Sequence, residues 1–265
     1  MSNIVSYAKR TGTAPSPALW GDCPFESLQN GIVEGMAHHD DFVNFNTTTD
    51  EGYQKILSAG ATITQLDSAD LGGWIRLLTA ATDNHEAYLA DNNDTGLVKI
   101  VRDSGNQVWW ECLFKVDVIT TGSLLLGLVG NAEVALLLMA DDQTDAGIFA
   151  TSTPDFVGFL LAADTAGDGE LDAVYNTDAS GVLTVHKNIA KTLVVGTKTR
   201  VGMHFDGARS VRWFVDGLQV GATLDPNAAN FPDGNPLLSV MAHKNSSAAA
   251  HLTDLDWRRV AMAGR

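Results

Sequence analysis

The run from Arg200 to Val220 limits the fold more than any other part of the chain. In Arg200-Val201-Gly202-Met203-His204-Phe205, residues Val201, Met203 and Phe205 point to one side and Arg200, Gly202 and His204 to the other, the period of a half-buried antiparallel strand. Asp206-Gly207-Ala208-Arg209-Ser210 leads into Val211-Arg212-Trp213-Phe214-Val215, which reads as a hairpin with a glycine-containing loop. Asp216-Gly217 then turns the chain into Leu218-Gln219-Val220. Short runs of this kind, rich in β-branched and aromatic residues, recur from Ala61 onward at 74–78, 97–101, 108–118, 123–129, 156–161, 182–186, 237–241 and 252–262. In the last of them the two alternating faces mix polar and apolar residues, which predicts a bulge. Ala132 to Ala140 lacks β-branched enrichment and reads as a short helix between strands. Many short strands with almost no helix predict an all-β chain, a jelly-roll β-sandwich of two packed antiparallel sheets over residues 61–265.

Residues 1–60 have a different texture. Thr11 to Pro17 and Gly21 to Pro24 are punctuated by Pro and Gly, and His38 to Asp41 with Asn44 to Asp50 is polar. This segment is expected to be an extended N-terminal arm, with Trp20, Phe25, Phe42 and Phe45 as anchors either to a partner or to the chain's own domain. At 265 residues the chain can bury a sizeable core without disulfide or metal staples. It carries 17 Lys+Arg against 32 Asp+Glu, a net charge of −15. The acidity is concentrated in residues 61–185, whereas 186–265 is net basic. Such a surface repels phosphates, so nucleic acid is not an expected partner. The opening residues lack an apolar core of the signal-peptide type, and the longest apolar stretches fall far below the roughly 20 residues of a membrane span. Neither a cleaved signal nor membrane insertion is expected. Cys23 and Cys112 are read as free thiols in a reducing cell.

The strand through Asp206-Gly207 into Val211–Gly221, followed by Leu255-Asp256-Trp257-Arg258-Arg259-Val260, resembles the back half of concanavalin A-like lectin/glucanase jelly rolls. In a narrower comparison, Gly127-Leu128, Met139-Ala140-Asp141-Asp142, Phe156-Val157-Gly158-Phe159, Leu171–Tyr175, Phe231-Pro232-Asp233 and His243-Lys244-Asn245, in that order, resemble a group of tailed-bacteriophage virion structural proteins. This resemblance covers roughly residues 100–265. It implies a non-enzymatic capsid decoration or cement protein on the outside of the virion, made in the host cytoplasm. Its implied partners are the major capsid protein and further copies of itself, as a dimer or trimer. A lectin-like module that binds glycan is the alternative, and a glycoside hydrolase the third reading.

Each chemical candidate has a plainer counterpart. Gly169-Glu170-Leu171-Asp172-Ala173-Val174-Tyr175 is similar to the Glu-x-Asp-x-x-Glu strand of laminarinase-type glycoside hydrolases, but Tyr175 stands where the second catalytic Glu would be. Retaining hydrolysis needs two carboxyl groups, and that departure removes the proton donor. Asp164 to Asp172 holds four carboxylates suited to calcium, yet the spacing is not that of an EF-hand loop, and a solvated acidic hairpin is the simpler expectation. No zinc spacing, nucleophile elbow or phosphate-binding glycine loop occurs, so no cofactor is expected. Trp109 and Trp110 sit at adjacent strand positions, so one ring faces the core and the other needs a cover: the chain's own arm, a second subunit or a sugar.

Overall fold

The computed structural model describes residues 14–43, 45, 52–66, 73–91, 98–130, 139, 155–163, 169–177, 184–225 and 230–264. In chain order its elements are α1 (Pro17–Trp20), α2 (Phe25–Gln29), β1 (Gly35–Asp40), β2 (Tyr53–Leu57), β3 (Thr62–Leu66), β4 (Trp74–Leu78), β5 (Glu86–Asp91), β6 (Val98–Lys99), β7 (Gln107–Val116), β8 (Gly122–Gly130), β9 (Phe156–Leu161), β10 (Glu170–Asn176), β11 (Thr184–Thr192), β12 (Thr199–Phe205), β13 (Val211–Val215), β14 (Leu218–Leu224), β15 (Pro236–Asn245) and β16 (Leu252–Ala263). Sheet A has the order β14-β13-β12-β7-β16-β4-β3, with β1 also pairing β16. Sheet B has the order β11-β10-β9-β8-β15-β5-β2, with β6 also pairing β15. All pairings are antiparallel, and the two sheets pack as the predicted jelly-roll sandwich.

Alternation sorts the side chains. Val108, Trp110, Cys112 and Phe114 of β7 meet Leu124, Leu126 and Leu128 of β8 and Val157 and Phe159 of β9 in the main core between the sheets. The hairpin read from the sequence pairs Phe205 with Val211 and Val201 with Val215. Val215 and Leu218 pair across a two-residue turn in which Asp216 and Gly217 have φ of 50° and 85°, the left-handed pair that lets a tight hairpin follow strand twist. β8 and β9 approach closely where Gly127 pairs with Gly158. A Cβ on either would run into the facing backbone, which is why neither position carries one.

The bulge foreseen in the last strand lies at Asp256, where the β16–β7 register shifts between Leu255 and Trp257. It swaps the faces: Leu255 points into the core before it, and Val260 does so after it. Adjacent Arg258 and Arg259 therefore lie on opposite faces, the first reaching Asp91 in sheet B and the second Trp20 outside sheet A.

Part of segment 1–60 runs along the sandwich. β1 pairs β16 from Gly35↔Ala263 to Asp40↔Arg258, β2 pairs β5, and α1 and α2 lie across the outer face of sheet A. The boundary drawn at residue 60 therefore does not separate two bodies among the described residues, because Phe42, Phe45 and Tyr53 are buried in the main core with Ile63 and Leu89. The helix expected over 132–140 lies outside the described residues apart from Met139, which forms a single bridge. Among the described residues no helix is long and apolar enough to cross a membrane.

Candidate functional site

β10, which carries the hydrolase-like motif, belongs to sheet B. Leu171, Ala173 and Tyr175 face the core, where Tyr175 meets Phe231 edge-on with centroids 5.3 Å apart. Glu170 and Asp172 lie on the other face, and the next position on that face is Val174. Val174 is buried in a second apolar cluster with Tyr88, Leu125, Phe156, Leu160 and Met139. Met139 is held by its backbone: its N–H donates to the Tyr88 hydroxyl at 3.2 Å, and Lys244 Nζ donates to its carbonyl at 2.7 Å. Lys244 also donates to Glu86 Oε1 at 2.9 Å, and both side chains are fully buried. Burial and the Glu86 carboxylate push the Tyr88 hydroxyl well above its ordinary pKa, so it stays protonated. Among the described residues, the part of this face around Tyr88, Leu125 and Val174 is closed by packing.

The outer face of sheet A is where three predicted site residues meet. Trp110 points inward and donates to Ser239 Oγ at 2.8 Å, whereas Trp109 points outward and stacks on His204 at 4.9 Å. The cover over Trp109 is the chain's own segment: Leu19, Trp20, Phe25 and Leu28 pack on Trp109, Phe214 and Ala261. The ring of Phe25 meets Trp20 edge-on at 5.6 Å, and Arg259 lies over both rings. Phe42 and Phe45 are not part of this site. They cluster with Tyr53 in the main core, beside Arg258.

Polar groups fix this cover in place. Glu111, on the outward face of β7 and fully buried, accepts from the Ser16 N–H at 2.9 Å and from Trp20 Nε1 at 2.7 Å, with Arg200 Nε 3.4 Å away. Burial lifts its carboxyl to about 7, against the pull of the Ser16 N–H, Arg200 and Trp20. His204 accepts at Nδ1 from Arg212 at 2.6 Å, which leaves Nε2–H to donate to Gln107 Oε1 at 3.1 Å. Burial and then Arg212 lower its pKa to about 4. His39 is likewise lowered to about 4 by burial and Arg259. These groups position a segment; no carboxyl or imidazole among them is open to a substrate.

Sequence reasoning missed Glu111. An acidic residue between two tryptophans and a cysteine in a strand was the available signal, since a charge there needs buried partners. All six tryptophans are buried, Trp74 included, so no Trp ring is presented for a sugar to stack on. Cys23 and Cys112 are free thiols. Of the acidic segment weighed as a calcium candidate, Asp164 and Asp168 lie outside the described residues, and among the described residues no group of three or more His, Cys, Asp or Glu is placed to hold a metal ion.

No family profile and no curated protein sequence matches the chain. Solved structures do. A protein of unknown function from Shewanella oneidensis MR-1 superposes with a TM-score of 0.59 at 12% identity, covering 91% of this chain and 94% of that one. The Emp47p carbohydrate recognition domain gives 0.54 at 13% identity, covering 85% and 94%. A glycoside hydrolase family 16 endo-glucanase from Bacteroides ovatus gives 0.54 at 11% identity, covering 84% and 99%. The chain has the concanavalin A-like jelly-roll fold shared by lectins and glycoside hydrolases. At these identities the likeness is one of fold, and none of these three structures is named as a virion protein.

Proposed function

We propose that the chain is a non-catalytic assembly protein: a rigid concanavalin A-like sandwich that docks on a larger structure. The observation that carries this reading is on the outer face of sheet B, where, among the described residues, Val174 stands beyond Glu170 and Asp172, buried with Tyr88, Leu125, Phe156, Leu160 and Met139. A retaining hydrolase needs a second carboxyl about 5–5.5 Å from the first and room for a sugar. The finer reading, attachment to a tailed-bacteriophage capsid shell by bridging major capsid protein subunits, rests on the order of short motifs over residues 100–265. Carbohydrate binding is the second reading, favoured by the likeness to a carbohydrate recognition domain.

Sedimentation of the full chain with empty capsid shells, run beside a glycan array and a β-glucan hydrolysis assay, separates the readings. Saturable, stoichiometric co-sedimentation without glycan binding is the expected result. Glycan binding without shell binding moves the chain to the second reading. Turnover of a β-glucan that Glu170→Gln abolishes would overturn the non-catalytic reading.

A further inference from the structure

β14 ends sheet A, and among the described residues its backbone pairs with β13 alone. We propose that two copies of this chain join edge to edge through β14, antiparallel about a twofold axis at Gly221, so that sheet A of one copy runs on into sheet A of the other. The inference stands whichever reading of the function holds.

Five of the seven residues of β14 are exposed, and Leu218 is 72% exposed. Val215 and Leu218 flank a two-residue turn and face each other across it. Leu218 and Val220 therefore aim their N–H and C=O groups at β13, and by alternation Gln219, Gly221 and Thr223 aim theirs outward. Such an open row of donors and acceptors is completed by another strand. β14 holds no charged residue, whereas β2 and β11, at the ends of sheet B, both contain lysine. Two copies of a chain of net charge −15 repel least where they meet on an uncharged strip. β3, at the other end of sheet A, is also uncharged, but it has five residues and lies against Phe42 and Val43, to whose carbonyls Gln65 donates.

The strand itself selects a second copy as its partner. Leu218-Gln219-Val220-Gly221-Ala222-Thr223-Leu224 reads alike in both directions by chemical type. A twofold axis at Gly221 sets Leu218 opposite Leu224 of the second copy and Val220 opposite Ala222 on the core side, and Gln219 opposite Thr223 on the outer side, with no side chain at the axis. The shape of the strand agrees. The β13–β14 register shifts between Val211 and Trp213, Gly221 has a φ of 65°, and Gln219 Nε2 donates to Thr223 Oγ1 at 3.3 Å, so β14 bows toward the outer face of sheet A. A straight strand follows only half of that bow, whereas a copy rotated about an axis normal to the sheet bows the same way at the same place. Charge agrees as well: Asp225, 67% exposed, comes opposite Gly217 of the second copy, beside which lie the Arg200 guanidinium and Lys191, the latter paired with Asp216 at 2.8 Å.

Light scattering behind size-exclusion chromatography tests this on the full chain and on Gln219→Pro, which removes an outward N–H and leaves the ladder to β13 intact. The expected masses are twice 28.2 kDa for the wild type and the single-chain mass for the variant. Register is read by producing two Cys23→Ser chains together, one with Val220→Cys and one with Ala222→Cys. In the proposed pairing these positions face each other as a non-hydrogen-bonded pair with Cα atoms about 4.5 Å apart, within reach of a disulfide. An interchain disulfide is expected when both chains are present and not with either alone. That cross-link carries the test should Gln219→Pro fail to fold. A wild type of single-chain mass overturns the proposal, as does a Gln219→Pro chain that stays dimeric or a co-produced pair with no more cross-link than either chain alone.

Discussion

His204→Gln should flatten the pH dependence of stability between about pH 7.5 and pH 5. In the native chain the ring is buried against Trp109 and Arg212 donates to its Nδ1, so burial first and the Arg212 charge second hold the imidazole neutral, with its pKa lowered from 6.5 to about 4. The unfolded state takes up the proton near 6.5, and stability is therefore lost as pH falls from there toward 4. At pH 5 the loss from this one group is about 2 kcal/mol, rising to about 3.4 kcal/mol once the pH is below 4. Glu111 acts in the opposite direction: its carboxyl, raised to about 7, takes up its proton more readily in the folded state, so its stabilising effect is present at low pH and lost as pH rises through 7. Comparing wild type with His204→Gln cancels that contribution, because Glu111 is present in both. Urea unfolding of each at the two pH values should show the wild type losing about 2 kcal/mol more than the variant. Parallel losses would refute the claim that burial and the Arg212 contact together hold His204 neutral.

Three further outcomes follow from the packing. Trp109→Ala removes the ring on which α1 and α2 rest, and should cost about 3–5 kcal/mol in urea unfolding while exposing residues 14–34 to limited proteolysis. Arg258→Met leaves Asp91 buried in the core without the cation it pairs with, a loss of about 3–5 kcal/mol, and adding Asp91→Asn should restore much of it. Gly158→Ala drives a methyl group into the Leu126 carbonyl and the Gly127 Cα, so calorimetry should show a lower unfolding temperature, with a cost of about 1–3 kcal/mol or more.

The strands visible in the sequence were those whose burial follows from composition. Val211–Val215 and Phe156–Leu161 are read at their observed bounds because β-branched and aromatic residues fill them. β5, Glu86-Ala87-Tyr88-Leu89-Ala90-Asp91, was not legible: it is rich in alanine and begins and ends on a carboxylate, yet every residue is buried. Its charges are balanced by Lys244 and Arg258, 158 and 167 positions away, and no local pattern announces such partners. β1 escaped notice for a related reason, since His38, His39 and Asp40 look like a polar loop until β16 supplies Val260, Arg259 and Arg258 opposite them. The aromatics of the first sixty residues were legible as anchors, but which surface they anchor to depends on the faces that β7 and β16 present. Glu111 needed the same three-dimensional information.

The bulge at Asp256 acts as a parity switch for the end of the chain. Every residue from Trp257 to Ala263 owes its side of the sheet to that one extra position. Deleting Asp256 would keep the composition almost unchanged and yet turn the strand inside out, sending Arg259 toward the core and Arg258 toward solvent. Substitutions on β16 that keep a side chain's character should therefore be tolerated better than any change in its length between Leu255 and Val260, because spacing there decides which face every later residue occupies.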